Sequence, residues 1–100
     1  MDLESVIQTI RELLPELKLR HAVDSIGVFG SLARGEAQSE SDVDVFVRFD
    51  PEARVTLATM ARVKVLLEFR LAANVDLVDD HPHLSRSFRR AVERDLVRVA

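Results

Sequence analysis

The sequence predicts an α/β (α+β) domain, a small mixed β-sheet flanked by helices. Apolar residues recur at helical spacing near the N-terminus, and residues 42–49 alternate strictly between two faces. Along the chain the periodic segments read helix, strand, loop, strand, helix, strand, helix, which suits one sheet covered by helices.

The first helix is expected over residues 2–14, where Leu3, Val6, Ile7, Ile10, Leu13 and Leu14 fall on one face and Asp2 supplies an N-cap. Pro15 is expected to disturb it, with residues 16–20 as a further short turn. Residues 25–30 form an apolar run ending in Gly30 and read as a buried strand; residues 31–41 read as loop, with one helical turn around residues 32–34. Residues 42–49 are the clearest strand, with Val43, Val45, Val47 and Phe49 on one face and Asp42, Asp44, Phe46 and Arg48 on the other. Residues 55–72 read as a helix with Leu57, Met60, Val63, Leu67 and Leu71 inward and Lys64 and Glu68 as an i,i+4 pair at the stripe's edge. Residues 75–78 form a third strand and residues 84–94 a last helix. The tail at 96–99 ends that helix or makes a short edge strand. The 31–41 connection is too short for a crossover helix, so the first two strands are expected to be antiparallel neighbours. The long connection from Phe49 to Val75 permits a crossover into the third.

Composition narrows the function. One hundred residues point to one domain over 1–100; 47% apolar and 31% charged residues describe a globular chain rather than a disordered one. The absence of cysteine removes disulfides, thiolate metal sites and a cysteine nucleophile. No apolar run approaches the ~18 residues of a membrane span, and acids interrupt the N-terminus, so a cytoplasmic location is expected. A formal charge of −3, with no tryptophan or tyrosine, argues against direct nucleic-acid binding as the main task.

The chemical signal lies between Gly30 and Asp44. Asp42 and Asp44, at i and i+2 of a strand, send their carboxylates from the same face about 6.6–7 Å apart. Two like charges so placed need a counter-charge, and magnesium suits them because it takes one or two carboxylates and completes its shell with water and phosphate oxygens. Gly30 and Ser31 supply the complementary half. A strand ending in glycine lets phosphate approach the backbone, whose N–H groups, with the Ser31 hydroxyl, can hydrogen-bond its oxygens. A second metal ion, about 3.5–4 Å from the first, would call for a third carboxylate. Asp76 is the candidate, and whether it faces the other two depends on strand register, which sequence leaves open.

The run Gly30-Ser-Leu-Ala-Arg-Gly-Glu-Ala-Gln-Ser-Glu-Ser-Asp-Val-Asp44 resembles the signature of the DNA polymerase β-type nucleotidyltransferase superfamily. With Arg34-Gly35 and Ser41-Asp42-Val43-Asp44 it is similar to the minimal nucleotidyltransferase (MNT) branch. Glycine, serine and two aspartates meet this spacing by chance in roughly one chain of this length in a thousand. The order of elements extends the likeness over nearly the whole chain. The resemblance implies a polymerase β-like fold and transfer of AMP from ATP to an acceptor, with Asp42, Asp44 and Asp76 as catalytic residues holding two Mg2+ ions. Asp76 would also help to deprotonate the acceptor hydroxyl, and Gly30 and Ser31 would hold the triphosphate. It further implies a HEPN-domain toxin as partner, with this chain as the antitoxin that adds AMP to a toxin tyrosine. The chain contains no tyrosine, so such a modification would occur in trans.

Other readings stay open at this level. Arg34 is a candidate nucleotide contact, with a structural role holding the loop, for example by pairing with an acid, as its alternative. The acceptor is alternatively a small molecule or a nucleic acid, although the chain stops just after the minimal core, which favours an acceptor delivered by another protein. A homodimer could complete a small-molecule pocket, and a non-catalytic antitoxin that merely covers its toxin is a third reading. The cluster Asp79, Asp80, His81 and His83 reads as a solvated turn. Arg86, Arg90 and Arg94 read as a solvated helix face or a surface for an acidic partner.

Overall fold

The computed structural model describes residues 1–38 and 41–100; Ser39 and Glu40, inside the motif quoted above, lie outside the described residues. The elements are α1 (Leu3–His21), β1 (Val23–Phe29), α2 (Gly30–Ala33), β2 (Val43–Phe49), α3 (Leu57–Leu71), β3 (Val75–Asp79), α4 (Arg86–Asp95) and β4 (Val97–Arg98). The strands lie in the order β3-β2-β1-β4. As expected, β1 and β2 are antiparallel, and β3 runs parallel to β2 after the α3 crossover. The tail resolves into β4, a two-residue edge strand antiparallel to β1.

Asp2 caps α1 by accepting the Ser5 N–H at 2.8 Å. The expected break at Pro15 does not occur, and the helix continues to His21. Pro15 and Arg11, whose carbonyl loses its i+4 donor to the proline, both lie on the exposed side where water can serve that carbonyl. Leu13 and Leu17 are both buried and extend the stripe of Val6 and Ile10 past the proline, so burial outweighs the missing bond.

The sheet has two unlike faces. Val43, Val45, Val47, Phe49, Ile26, Val28 and Val75 meet Ile10 and Leu17 of α1 and Val63 and Leu67 of α3. On the other face Phe29, Phe46 and Val92 form a smaller cluster with Val78, Leu84 and Leu96. The Phe29 and Phe46 rings meet edge-to-face, 6.2 Å between centroids. Phe46 is thus no anomaly among the polar residues of its face, because α4 covers the middle of that face. Close approach of β4 explains Gly27: a Cβ there would lie 2.7 Å from Leu96 Cδ1 and 2.8 Å from the Val97 carbonyl oxygen.

α3 starts with a reciprocal cap between Thr56 and Thr59. Two expectations for this helix are corrected. Leu57 is 88% exposed rather than inward, because it precedes the turn that reaches the core. The Lys64–Glu68 pair does not form: Glu68 Oε2 accepts the Val75 N–H at 3.0 Å, satisfying a backbone donor at the start of an edge strand. Leu57, Ala61, Val65 and Phe69 instead form an exposed row at i+4 spacing.

α1 and α3 both stop at an alanine in the left-handed region, Ala22 at φ 58° and Ala72 at φ 52°. A left-handed L-residue costs roughly 1–2 kcal/mol, offset in part by the greater unfolded-state freedom of glycine. Ala72 is exposed, so its methyl contributes no burial. Ala72→Gly is expected to stabilise the fold by about 0.5–1 kcal/mol, read as a higher urea midpoint at unchanged slope.

Candidate active site

The site sits where three strands present neighbouring positions. Gly30 does not end β1 but opens α2, at φ +74°. The turn closes through Arg34 N–H to the Gly30 carbonyl (3.1 Å) and Glu36 N–H to the Ser31 carbonyl (2.8 Å). This places Ser31, half-buried, at the end of β1. Across the ladder Phe29 is the partner of Asp44, which brings the Asp44 carboxylate against Gly30. A Cβ on Gly30 would run into Asp44 Oδ2 and stand 3.0 Å from its Cγ. Glycine is required here by the carboxylate as well as by the backbone.

Register answers the question sequence left open. Asp44 pairs directly with Asp76 across the parallel β2–β3 ladder, and residues level with each other on adjacent strands share a face. Strands lie about 4.8 Å apart, so the two carboxyl groups meet. Asp42 stands exposed one residue before β2, two positions from Asp44. The Asp44 carboxyl is pushed above its ordinary pKa, first by burial and then by the negative charges of Asp76 and Asp42, with a hydrogen bond to Asp76 acting the same way; Arg34 opposes the shift.

Among the described residues no three carboxylate or imidazole groups are already drawn together closely enough to enclose a metal ion. The chemistry of the donors nevertheless fits a hard cation. They are all oxygen, and Asp44 bears like charges that a divalent ion would neutralise.

Arg34 is committed to acids: Nη1 donates to Asp95 Oδ2 at 2.7 Å and Nε to Glu36 Oε2 at 3.1 Å. The pairing with Asp95 ties the α2 turn to the end of α4, across a sequence separation that no local pattern reveals. Lys64, read from sequence as a helix-surface partner, lies with Asp76 on the wall of one pocket. The Asp79–His83 turn is less free than expected, because Arg89 donates to Asp80 Oδ1 (2.6 Å) and to the His81 carbonyl (2.9 Å). Arg86, Arg90 and Arg94 are exposed along α4, Arg94 with its Nε 3.7 Å from Asp95 Oδ1. Among the described residues no helix is long and apolar enough to cross a membrane.

A mixed four-stranded sheet with helices on both faces, carrying a glycine-serine turn beside paired strand acids, defines a nucleotidyltransferase-type domain. Residues 10–99 match the family model described as the nucleotidyltransferase domain. The protein adenylyltransferase MntA of Thermococcus cleftensis is 40% identical over 77 residues, 77% of this chain and 73% of that protein. A solved candidate minimal nucleotidyltransferase is 39% identical, with TM-score 0.76 over 97% of this chain and 95% of that one. The complex of an MNT antitoxin with the tri-AMPylated HEPN toxin of Shewanella oneidensis shares the fold at 20% identity, with TM-score 0.67 over 97% of this chain and 71% of that one. The chain belongs to the minimal nucleotidyltransferase family and is an enzyme of that kind.

Proposed function

We propose that residues 1–100 form one domain that transfers AMP from ATP to a tyrosine hydroxyl of a HEPN-type toxin, acting in the cytoplasm as its antitoxin. The observation that carries this reading is the in-register pair Asp44 and Asp76, backed by Gly30. The family name of the Thermococcus relative and the HEPN partner of the Shewanella MNT protein support the choice of nucleotide and acceptor.

In this mechanism Asp42, Asp44 and Asp76 hold two magnesium ions, and Gly30 and Ser31 bind the triphosphate. Arg34, braced by Asp95 and Glu36, keeps the turn in place and adds positive charge beside it. When bound, the metal supplies Lewis-acid polarisation of the α-phosphate and neutralises charge on the departing pyrophosphate. The acceptor oxygen forms a bond to the α-phosphorus as the bond from that phosphorus to the bridging oxygen breaks. Pyrophosphate leaves with the electron pair, and the hydroxyl proton passes to Asp76. Asp76 suits that role because it lies on the exposed edge strand, where an acceptor can enter. The uncovered row of Leu57, Ala61, Val65 and Phe69 offers an apolar surface of the kind partner proteins occupy.

The test is incubation of the purified chain with ATP labelled on the α-phosphate, magnesium and a co-expressed HEPN-type toxin, followed by peptide mass spectrometry of that protein. Label on a tyrosine is expected. Binding of the partner with no label would replace this reading with that of a covering antitoxin.

A further inference from the structure

Residues 84–98 carry five arginines against Glu93 and Asp95, while the rest of the chain holds 15 acids and nine bases. Arg86, Arg90 and Arg94 recur at i, i+4 and i+8 of α4 and are exposed. With 3.6 residues per turn they fall on the side opposite the buried Val92 and span about 12 Å along the axis. This placement works against the helix. Like charges one turn apart repel. Arg86 is also the first residue of α4, where the positive end of the helix dipole disfavours a cation, and no acid stands in that turn. Arg89, on the inner side, is paired with Asp80. Among the described residues no ion pair relieves Arg86 or Arg90, and Arg94 has Asp95 at 3.7 Å, which is already bound to Arg34. A merely solvated face would gain from interspersed acids, so a stripe of one sign without local compensation points to a negative partner.

The position of the stripe narrows that partner. Val92 clusters with Phe29 and Phe46, and Phe46 shares a strand face with Asp44, so α4 lies on the face that carries the acid row. The Asp95–Arg34 pair, at 2.7 Å, ties its C-terminal end to the α2 turn, so the stripe leads toward Gly30 and Ser31. We propose that Arg86, Arg90 and Arg94 dock an acidic segment of the acceptor protein and so bring its hydroxyl to the reaction centre. The inference rests on the transfer to a protein proposed above and adds the surface that receives that protein. The arginines stand about 6 Å apart along the axis, close to the spacing of carboxylates four residues apart on a helix or two apart on a strand. Each guanidinium can hold a carboxylate by two parallel hydrogen bonds. A polynucleotide suits the stripe less well. Its charge continues past 12 Å into the acid surplus of the rest of the chain, and no tryptophan or tyrosine offers its bases a stacking surface. The three arginines are positioning residues, and their removal should act on the acceptor rather than on the nucleotide.

In Arg86→Glu the new carboxylate meets the positive end of the helix dipole and stands one turn before Arg90, so the urea midpoint of the free chain is expected to rise. With a HEPN-type toxin as acceptor, its Kd and KM are expected to rise about tenfold in Arg86→Glu, the loss typical of one charged hydrogen bond, and further when Arg90→Glu is added. The kcat and the affinity for a fluorescent ATP analogue should stay unchanged. Salt should weaken toxin binding by the wild type more steeply than by the double variant. Unchanged toxin binding in both variants overturns the docking surface even where AMP transfer proceeds. A lowered urea midpoint in Arg86→Glu would make the stripe part of the fold and overturn it as well. Loss of affinity for a 12-nucleotide single-stranded RNA, with toxin binding unchanged, assigns the stripe to nucleic acid instead and overturns the proposal. Toxin binding that weakens with these substitutions, in the absence of any AMP transfer, upholds the docking surface and removes the transfer reading.

Discussion

Asp44→Asn is expected to lower AMP transfer roughly 10³-fold, the rate equivalent of about 4 kcal/mol of lost transition-state charge stabilisation, while leaving the fold intact. Asp42→Asn is expected to follow it. Asp44 stands between Asp76 across the ladder and Asp42 two residues before it, and its carboxyl titrates above the ordinary value of 3.8. A folded-state pKa above the unfolded one means that the native state holds the proton more tightly. The corresponding stability is fully present below the unfolded pKa and is lost as pH rises through the folded one. At neutral pH the ionised Asp44 therefore works against folding, and Asn, which cannot ionise, removes that repulsion. The urea midpoint of Asp44→Asn should exceed that of the wild type at neutral pH, and the gap should close on acidification. Magnesium should raise the melting temperature of the wild type and have little effect on the variant, since a ligand stabilises only the state that binds it. Wild-type transfer rates in both asparagine variants would sink the assignment of these carboxylates.

Gly30→Ala carries the second large effect, and Gly35→Ala is its internal control. Both glycines have positive φ, +74° and +76°, so an alanine at either place costs roughly 1–2 kcal/mol of backbone strain. Only at Gly30 does the new methyl meet something: Asp44 Oδ2 and Cγ, against nothing within 4 Å at Gly35. Both variants should therefore lose comparable stability from the backbone, with Gly30→Ala losing somewhat more. Transfer should survive in Gly35→Ala and fall by at least about 100-fold in Gly30→Ala, because a displacement near 1 Å of a positioned catalytic group costs that much. Circular dichroism and denaturation separate folding from chemistry. Equal transfer by the two variants would show that the Gly30–Asp44 contact is not needed for the reaction.

The alternation through residues 42–49 made β2 legible, since period-two patterning over a half-covered strand has one solution. The glycine-serine and aspartate spacing likewise pointed to Gly30, Ser31, Asp42 and Asp44 before any fold was drawn. The stripe Val6, Ile10, Leu13 was equally plain, but its continuation past Pro15 was not. Local propensity argued for a stop there, and only the buried seat of Leu17 shows why the helix goes on. The alternation likewise put Phe46 on the face of Asp42, Asp44 and Arg48, but that α4 buries it there was not legible.

What the chain order of residues determined by itself is therefore the class of chemistry, because glycine, serine and the two motif aspartates must be close in sequence to share one turn and one strand. The tertiary structure alone decided that Asp76 stands level with Asp44, that Arg34 is bound to Asp95, and that Lys64 borders a pocket with Asp76. Each of these joins positions far apart in the chain. Strand register and helix packing are set by the summed burial of many side chains, so no local pattern of residues encodes them.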